Sequence, residues 1–305
     1  MLIRTHRRHG IRAAIAATLV VALTVGAGVA AAAPAKPTIK LGTKDFPEEF
    51  ILGQLYKQAL EAKGYKVQFK KNIGSTEIIK TALYSGKIDM YPEYTGTILS
   101  VIFKQAKSPA SAQAAYNQAK AKLGAKGFTL FAMTPFSDTD AIAVLKSTAS
   151  SNGLKTISDL SKLGDKLTIS ALPEFQTRSA GLLGLKSAYG VTNGTFKPIP
   201  QIDPYATLDN GTATAVDVFS TDPQLASGKY TVLTDPKFIF GFQNVAPIVS
   251  KKLAAQLGPQ GRRIIDAVSA KLTLPAIIAM NKAVSVDKKS DAAVAKAFLK
   301  ANNLA

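Results

Sequence analysis

Beyond residue 33 the chain has no histidine, no cysteine and no tryptophan, and its only arginines are Arg178, Arg262 and Arg263. Ser-His and Cys-His nucleophilic arrangements and His or Cys metal sites are therefore excluded from that stretch. Any catalysis would fall to carboxylates, lysines and tyrosines alone. Asp138-Thr139-Asp140 has the alternating acids of a calcium loop, but no glycine and bidentate glutamate follow at the needed spacing. The remaining chemistry is that of binding: ion pairs, hydrogen bonds and ring faces. No cofactor is implied.

The first thirty-three residues stand apart from the fold. Arg4, Arg7, Arg8 and Arg12 precede the apolar run 15–25, and small residues lead to Ala30-Ala31-Ala32-Ala33. This is the layout of a secretory signal peptide, residues 1–33, with an Ala-x-Ala cleavage site. Left uncut, residues 13–33 are apolar enough to serve as a membrane anchor. The protein is thus expected to be exported and extracytoplasmic, periplasmic or held at the cell surface. With no cysteine in the sequence, a lipid anchor through cysteine is not expected. Four of the 38 basic residues fall in the signal, which leaves 34 against 20 acids, a net charge of +14. The lysines are spread singly or in pairs rather than in a stripe with aromatic platforms, so nucleic-acid binding is not expected. Electrostatic association with an anionic membrane surface is compatible with this charge.

The elements that must position the binding groups alternate. Residues 38–41, 66–69 and 88–91 read as strands and 50–63 and 75–84 as helices, with Gly64 ending the first helix. A second series follows: strands 167–170, 196–199 and 216–219, helices 179–189 and 205–210. Strand-helix-strand repetition implies α/β architecture with mainly parallel sheets and right-handed crossovers. Gly86-Lys87-Ile88-Asp89-Met90-Tyr91 and Val216-Asp217-Val218-Phe219-Ser220-Thr221 are alike: each is a short apolar strand that contains Asp and ends in an aromatic residue. Two lobes of similar build are expected. Residues 254–305 read as helical, with starts near Pro259, Pro275 and Ser290.

Three stretches have unusual wording. They are Gly42-Thr43-Lys44-Asp45-Phe46-Pro47-Glu48-Glu49-Phe50, Ile73-Gly74-Ser75-Thr76-Glu77-Ile78, and Lys87-Ile88-Asp89-Met90-Tyr91-Pro92-Glu93-Tyr94-Thr95-Gly96-Thr97. From about residue 39 to the C-terminus the chain resembles the glycine betaine/choline/carnitine-type substrate-binding proteins of osmoprotectant ABC transporters. The resemblance implies a two-lobed periplasmic-binding-protein-like fold of type II with a two-strand hinge. On that pattern lobe one is 35–136 plus 244–305 and lobe two is 137–243, with crossovers near 134–143 and 242–250. It further implies capture of glycine betaine, choline, carnitine or a related compatible solute between the lobes, and delivery to an ABC permease driven by ATPase subunits. The receptor is expected to act as a monomer and not as an enzyme.

By the same resemblance, one end of the cleft grips a carboxylate and the other cages a quaternary ammonium. Lys44, Thr97 and Arg178 (in Pro173-Glu174-Phe175-Gln176-Thr177-Arg178) match the carboxylate end. A guanidinium with two parallel N–H groups and a neighbouring ammonium makes an effective anion trap. Tyr94 matches a cage position, and Phe219 keeps a ring where tyrosine is usual. Asp140 and Gln243 stand where many members have tyrosine, and Glu49 replaces a common glutamine. Glu93 reads as structural, a holder of loop amides, and Tyr91 as facing the core. Several ring faces normally hold a trimethylammonium group. Two readings of Asp140 stay open: direct Coulomb attraction in place of a ring, or a pocket shifted toward an amine or hydroxyl-bearing solute. A loop aspartate that caps backbone amides is the alternative, for Asp140 and Asp138 alike. Receptors for another small cationic or polyol solute, a ligand sensor, and a histidine-free extracellular enzyme are the competing functions.

Overall fold

The computed structural model describes residues 36–199 and 203–305; the expected signal segment lies outside the described residues. The strands are β1 (Thr38–Gly42), β2 (Lys66–Lys70), β3 (Met90–Tyr94), β4 (Phe128–Leu130), β5 (Asp140–Leu145), β6 (Thr168–Ala171), β7 (Thr195–Pro198), β8 (Ala215–Phe219), β9 (Tyr230–Val232) and β10 (Val245–Ser250). They form two five-stranded sheets, ordered β2-β1-β3-β10-β4 and β7-β6-β8-β5-β9. In the first, β1 runs parallel to β2 and β3, and β10 is antiparallel to β3 and β4. In the second, β6 is parallel to β7 and β8, and β5 is antiparallel to β8 and β9. The sheets are therefore mixed, each with one strand running against the others, in a two-lobed α/β architecture. The antiparallel members β5 and β10 are the strands by which the chain enters each sheet from the other.

Helix α1 (Pro47–Ala62) opens with proline at its first turn and two acids, Glu48 and Glu49, near the positive helix end. Its apolar stripe Ile51, Leu52, Leu55, Tyr56, Ala59 and Leu60 is fully buried against β1, β3 and the C-terminal helices. Burying each of its large aliphatic side chains contributes roughly 1.5–3 kcal/mol. The C-terminal region is helical over Lys251–Lys271, Leu274–Asn281 and Asp291–Ala301. Gly258, with φ 57°, breaks the first of these just before Pro259, and Ser290 caps the last by accepting from Ala293 N.

One strand expectation shifts, and one strand falls where a crossover was expected. β3 covers Met90–Tyr94 rather than 88–91, which brings Glu93 and Tyr94 onto the sheet. β5 begins at Asp140, in a stretch whose leading acids read as loop; the apolar run Ala141–Leu145 that follows pairs with β8 and β9.

Pro92 and Pro247 face each other across β3 and β10. The Pro247 carbonyl turns outward to accept from Phe131 N at 3.1 Å. Its missing N–H points the same way, so the reciprocal bond to the Phe131 carbonyl is absent, and that carbonyl accepts from the Tyr116 hydroxyl at 3.1 Å instead. The two connecting segments, 131–139 and 233–244, run side by side. Asn244 Nδ2 donates to the carbonyls of Thr134 and Phe136 at 3.0 Å each, and Ser137 forms an isolated antiparallel bridge with Asn244.

Candidate functional site

The first-sheet wall of the cleft is built where β1, α1 and β3 meet. Lys44 follows β1 and is nearly buried; its Nζ donates to Glu93 Oε1 at 2.6 Å. Glu93 also accepts from Tyr94 N at 2.8 Å, Thr76 Oγ1 at 3.0 Å and the Tyr91 hydroxyl at 3.2 Å. The carboxylate is thus fully engaged, and Tyr91 is core. The Lys44 ammonium lies 4.3 Å from the Tyr94 ring centroid and 5.3 Å from that of Phe46, within cation–π range of both. Phe46 precedes Pro47, and a residue before proline is held extended; its φ of −135° and ψ of 161° turn the ring away from α1 into the cleft. The Tyr94 hydroxyl donates to Glu48 Oε1 at 2.8 Å, and burial together with that carboxylate pushes the phenol well up.

Glu49 does not reach the cleft. It is wholly buried behind Lys44, accepts from the Lys44 amide at 3.1 Å through Oε2, and its Oε1 has no partner. Burial holds its carboxyl well above the ordinary range despite the Lys44 charge. The expectation that Glu49 lines the site is corrected: one step of 100° around α1 sends Glu48, not Glu49, toward the cleft side.

Gln243 lines the cavity, and both ends of its amide are bonded within the protein. Its Oε1 accepts from Thr97 N at 2.9 Å and Thr97 Oγ1 at 3.2 Å, and its Nε2 donates to the Phe240 carbonyl at 3.0 Å. Gly96 permits this approach: a Cβ there would stand 2.7 Å from the Phe242 carbonyl oxygen and 2.8 Å from the Gln243 amide. Gln243 positions Thr97, and the second hydrogen of its Nε2 has no partner among the described residues.

The second-sheet wall comes from β5, β8 and the turn before residue 178. Asp140 and Phe219 are direct cross-strand partners, and Asp217 stands opposite Ile142. Phe219 stacks on Phe46 across the cleft, with centroids 6.1 Å apart and planes within 5°; Phe46 and Tyr94 are 6.2 Å apart at 28°. With Phe175, four rings therefore line the cavity, two more than sequence matching proposed. Asp140 is half-buried, and no other described residue donates a hydrogen bond to its carboxylate. Burial raises its carboxyl, an effect partly offset by Arg178. Arg178 itself is committed: Nε and Nη2 donate to Glu77 Oε1 and Oε2 at 3.2 and 3.0 Å, and Nη2 lies 3.7 Å from Glu174. One fork of the guanidinium, Nε with Nη2, is thus filled by a side chain from the other wall, while Nη1 bonds to no described residue.

A further contact joins the walls. The Thr221 hydroxyl lies 2.7 Å from Glu48 Oε2 and 2.8 Å from Asp138 Oδ1, and Asn281 Nδ2 donates to Glu48 Oε2 at 2.7 Å. Burial raises the carboxyls of both Glu48 and Asp138. Asp138 also accepts from Thr221 N, which fits the loop-holding role considered for it.

The resulting cavity has about 590 Å³ of empty space, open solvent at its mouth included. Lys44, Tyr94, Thr97, Asp140, Arg178, Phe219 and Gln243 all line it. Phe46, Asp217, Glu174 and Glu77 escaped the sequence reading as site residues. Phe46 had a legible signal in its pre-proline position, and Asp217 in being an acid between two valines. The Glu77–Arg178 pair, 101 residues apart, had none.

Residues 37–301 match the family described as the substrate binding domain of ABC-type glycine betaine transport system. A glycine-betaine-binding protein of Pseudomonas aeruginosa is 31% identical over 279 residues, 88% of each chain. The glycine betaine-binding protein YehZ of Escherichia coli is 29% identical over 300 residues, 93% of this chain and 96% of the relative. Among solved structures, one described as a glycine betaine/carnitine/choline ABC transporter superposes with a TM-score of 0.69 at 26% identity, covering 87% of this chain and 99% of that one.

Proposed function

The chain belongs to the family of substrate-binding domains of ABC-type glycine betaine transport systems, and from that premise we propose that its own cleft captures a small compatible solute of the betaine, choline or carnitine kind. The observation that carries this reading is the cavity between the two sheets, in which Phe46 and Tyr94 of one wall meet Phe219 of the other. Electron-rich ring faces hold a poorly hydrated cation without the cost of stripping a tight water shell. Lys44, Tyr94, Thr97, Asp140, Arg178 and Phe219 are the proposed contacts, with Gln243 positioning Thr97.

On this reading 35–136 plus 244–305 and 137–243 act as two lobes, with 131–139 and 233–244 as the hinge. A solute touching both walls favours the closed state because only that state offers all its contacts at once. The closed receptor then docks on a membrane permease powered by ATPase subunits. We propose that it works as a monomer, outside the cytoplasm, with residues 1–33 directing export, and that its surface charge allows association with anionic membranes. Binding without turnover is its whole task.

Thermal denaturation with glycine betaine, choline and carnitine tests the reading, since a ligand selective for the folded state raises the melting temperature. A rise with at least one of them at millimolar concentration is expected. No rise with any would overturn it.

A further inference from the structure

Asp217 is the buried acid that the reading above leaves unused. It sits in the middle of β8 between Val216 and Val218, is only 7% exposed, and lines the cavity. Its Oδ1 is buried with no hydrogen-bond partner. The register places Asp140 and Asp217 on one face of the sheet as diagonal neighbours, since Asp140 pairs with Phe219 and Ile142 with Asp217. Diagonal neighbours stand about 7–8 Å apart, close enough for one small ligand group to reach both.

The charges around the cavity point the same way. Asp45, Asp138, Asp140, Glu174 and Asp217 line it against only two cations, Lys44 and Arg178. Those two are already paired, Lys44 with Glu93 and Arg178 with Glu77. The cleft is therefore acidic in a strongly basic protein. An unpaired carboxylate oxygen buried at a cavity wall is costly, and no described residue donates to it. A quaternary ammonium cannot serve: its charge is wrapped in methyl groups and has no N–H to give.

We propose that the cleft selects a small cation whose charged nitrogen carries at least one N–H, donated to Asp217 and Asp140, while the carbon substituents rest on Phe46 and Phe219. This rests on the solute-receptor reading and narrows its ligand class from fully methylated to partly methylated or primary ammonium solutes. The rings supply the apolar floor, and the carboxylates supply direction.

Calorimetry at pH 7 with two matched pairs tests it: choline against N,N-dimethylethanolamine, and glycine betaine against N,N-dimethylglycine. Each pair exchanges one methyl for one N–H at constant charge. The N–H member is expected to bind about tenfold more tightly or better, as a charge-assisted hydrogen bond allows. Asp217→Asn should reduce that preference to about threefold or less; Asp140→Asn should reduce it in part, and decides the matter should the first variant not fold. Equal or tighter binding of the quaternary member, with a ratio unchanged in both variants, would overturn the proposal while leaving the receptor reading intact. Binding of none of the four would remove both.

Discussion

Glu77 occupies the Nε–Nη2 fork of Arg178, so Glu77→Ala decides whether a solute carboxylate competes for it. Against the cost of burial, the Arg178 hydrogen bonds and charge hold the Glu77 carboxyl down to about 2 from an ordinary 4.5. In a dry site that difference would correspond to about 3.4 kcal/mol. The Glu77 side chain is 39% exposed and that of Arg178 21%, however. Solvent screening at such exposure leaves about 1 kcal/mol. Glu77→Ala should therefore lower stability by about 1 kcal/mol at pH 7, a loss of about 2–4 °C in melting temperature. It should tighten glycine betaine about threefold to fivefold by freeing the fork, and leave choline unchanged. The pH dependence has a definite sign. A carboxyl held below its ordinary value contributes stability above 4.5 and loses it as pH falls toward 2, so the melting curves of parent and variant should converge across that window. Calorimetry reads the affinities. Weaker betaine binding in the variant would mean that Glu77 orients Arg178 for the solute, and competition would be refuted.

Thr221→Val removes the hydroxyl set between Glu48 and Asp138 while keeping its shape; Glu48 retains Asn281 and Tyr94. A loss of about 1–3 kcal/mol is expected in denaturant titration, and an unchanged midpoint would show that the hydroxyl contributes nothing to the contact between the walls. Gly96→Ala would drive a Cβ to 2.7 Å from the Phe242 carbonyl, where backbone cannot yield cheaply. It should cost about 1–3 kcal/mol and loosen Thr97; parent-like stability would show that the second connecting segment gives way.

The repeating strands and helices were legible because their apolar periods are strong: the buried stripe of α1 falls where the 3.6-residue spacing puts it. β5 went unread because Asp138 and Asp140 look like loop residues in an expected crossover, and only pairing with β8 makes Asp140 the start of a strand. The candidate site was legible as a set of residue types and much less so as a set of contacts. Glu48 and Glu49 are adjacent acids in one helical turn, and helical phase alone separates a side chain near the cleft from one sealed behind Lys44. Arg178 was recognisable as a rare cation, but its partner comes from a helix 101 residues earlier in the chain, which no local pattern encodes. Asp217 was noticed only as part of a short internal likeness, since its unpartnered oxygen is a property of the folded wall.

The Thr221 hydroxyl has a single hydrogen, yet two buried carboxylate oxygens lie within 2.8 Å of it. One oxygen can accept that hydrogen; the other contact is a hydrogen bond only when its own carboxyl is protonated and donates to Thr221. Both contacts are satisfied when Glu48 and Asp138 hold one proton between them, the direction in which burial moves each carboxyl. On the proposed two-lobe reading, parting of the walls would break the Thr221–Glu48 contact and with it the need for a shared proton. Solute capture by closure then takes up a proton from the medium, and its heat should differ between two buffers of unlike ionisation enthalpy at the same pH. Identical heats would mean that the walls close without a change in proton count. On that reading, closure would be favoured as the surroundings acidify.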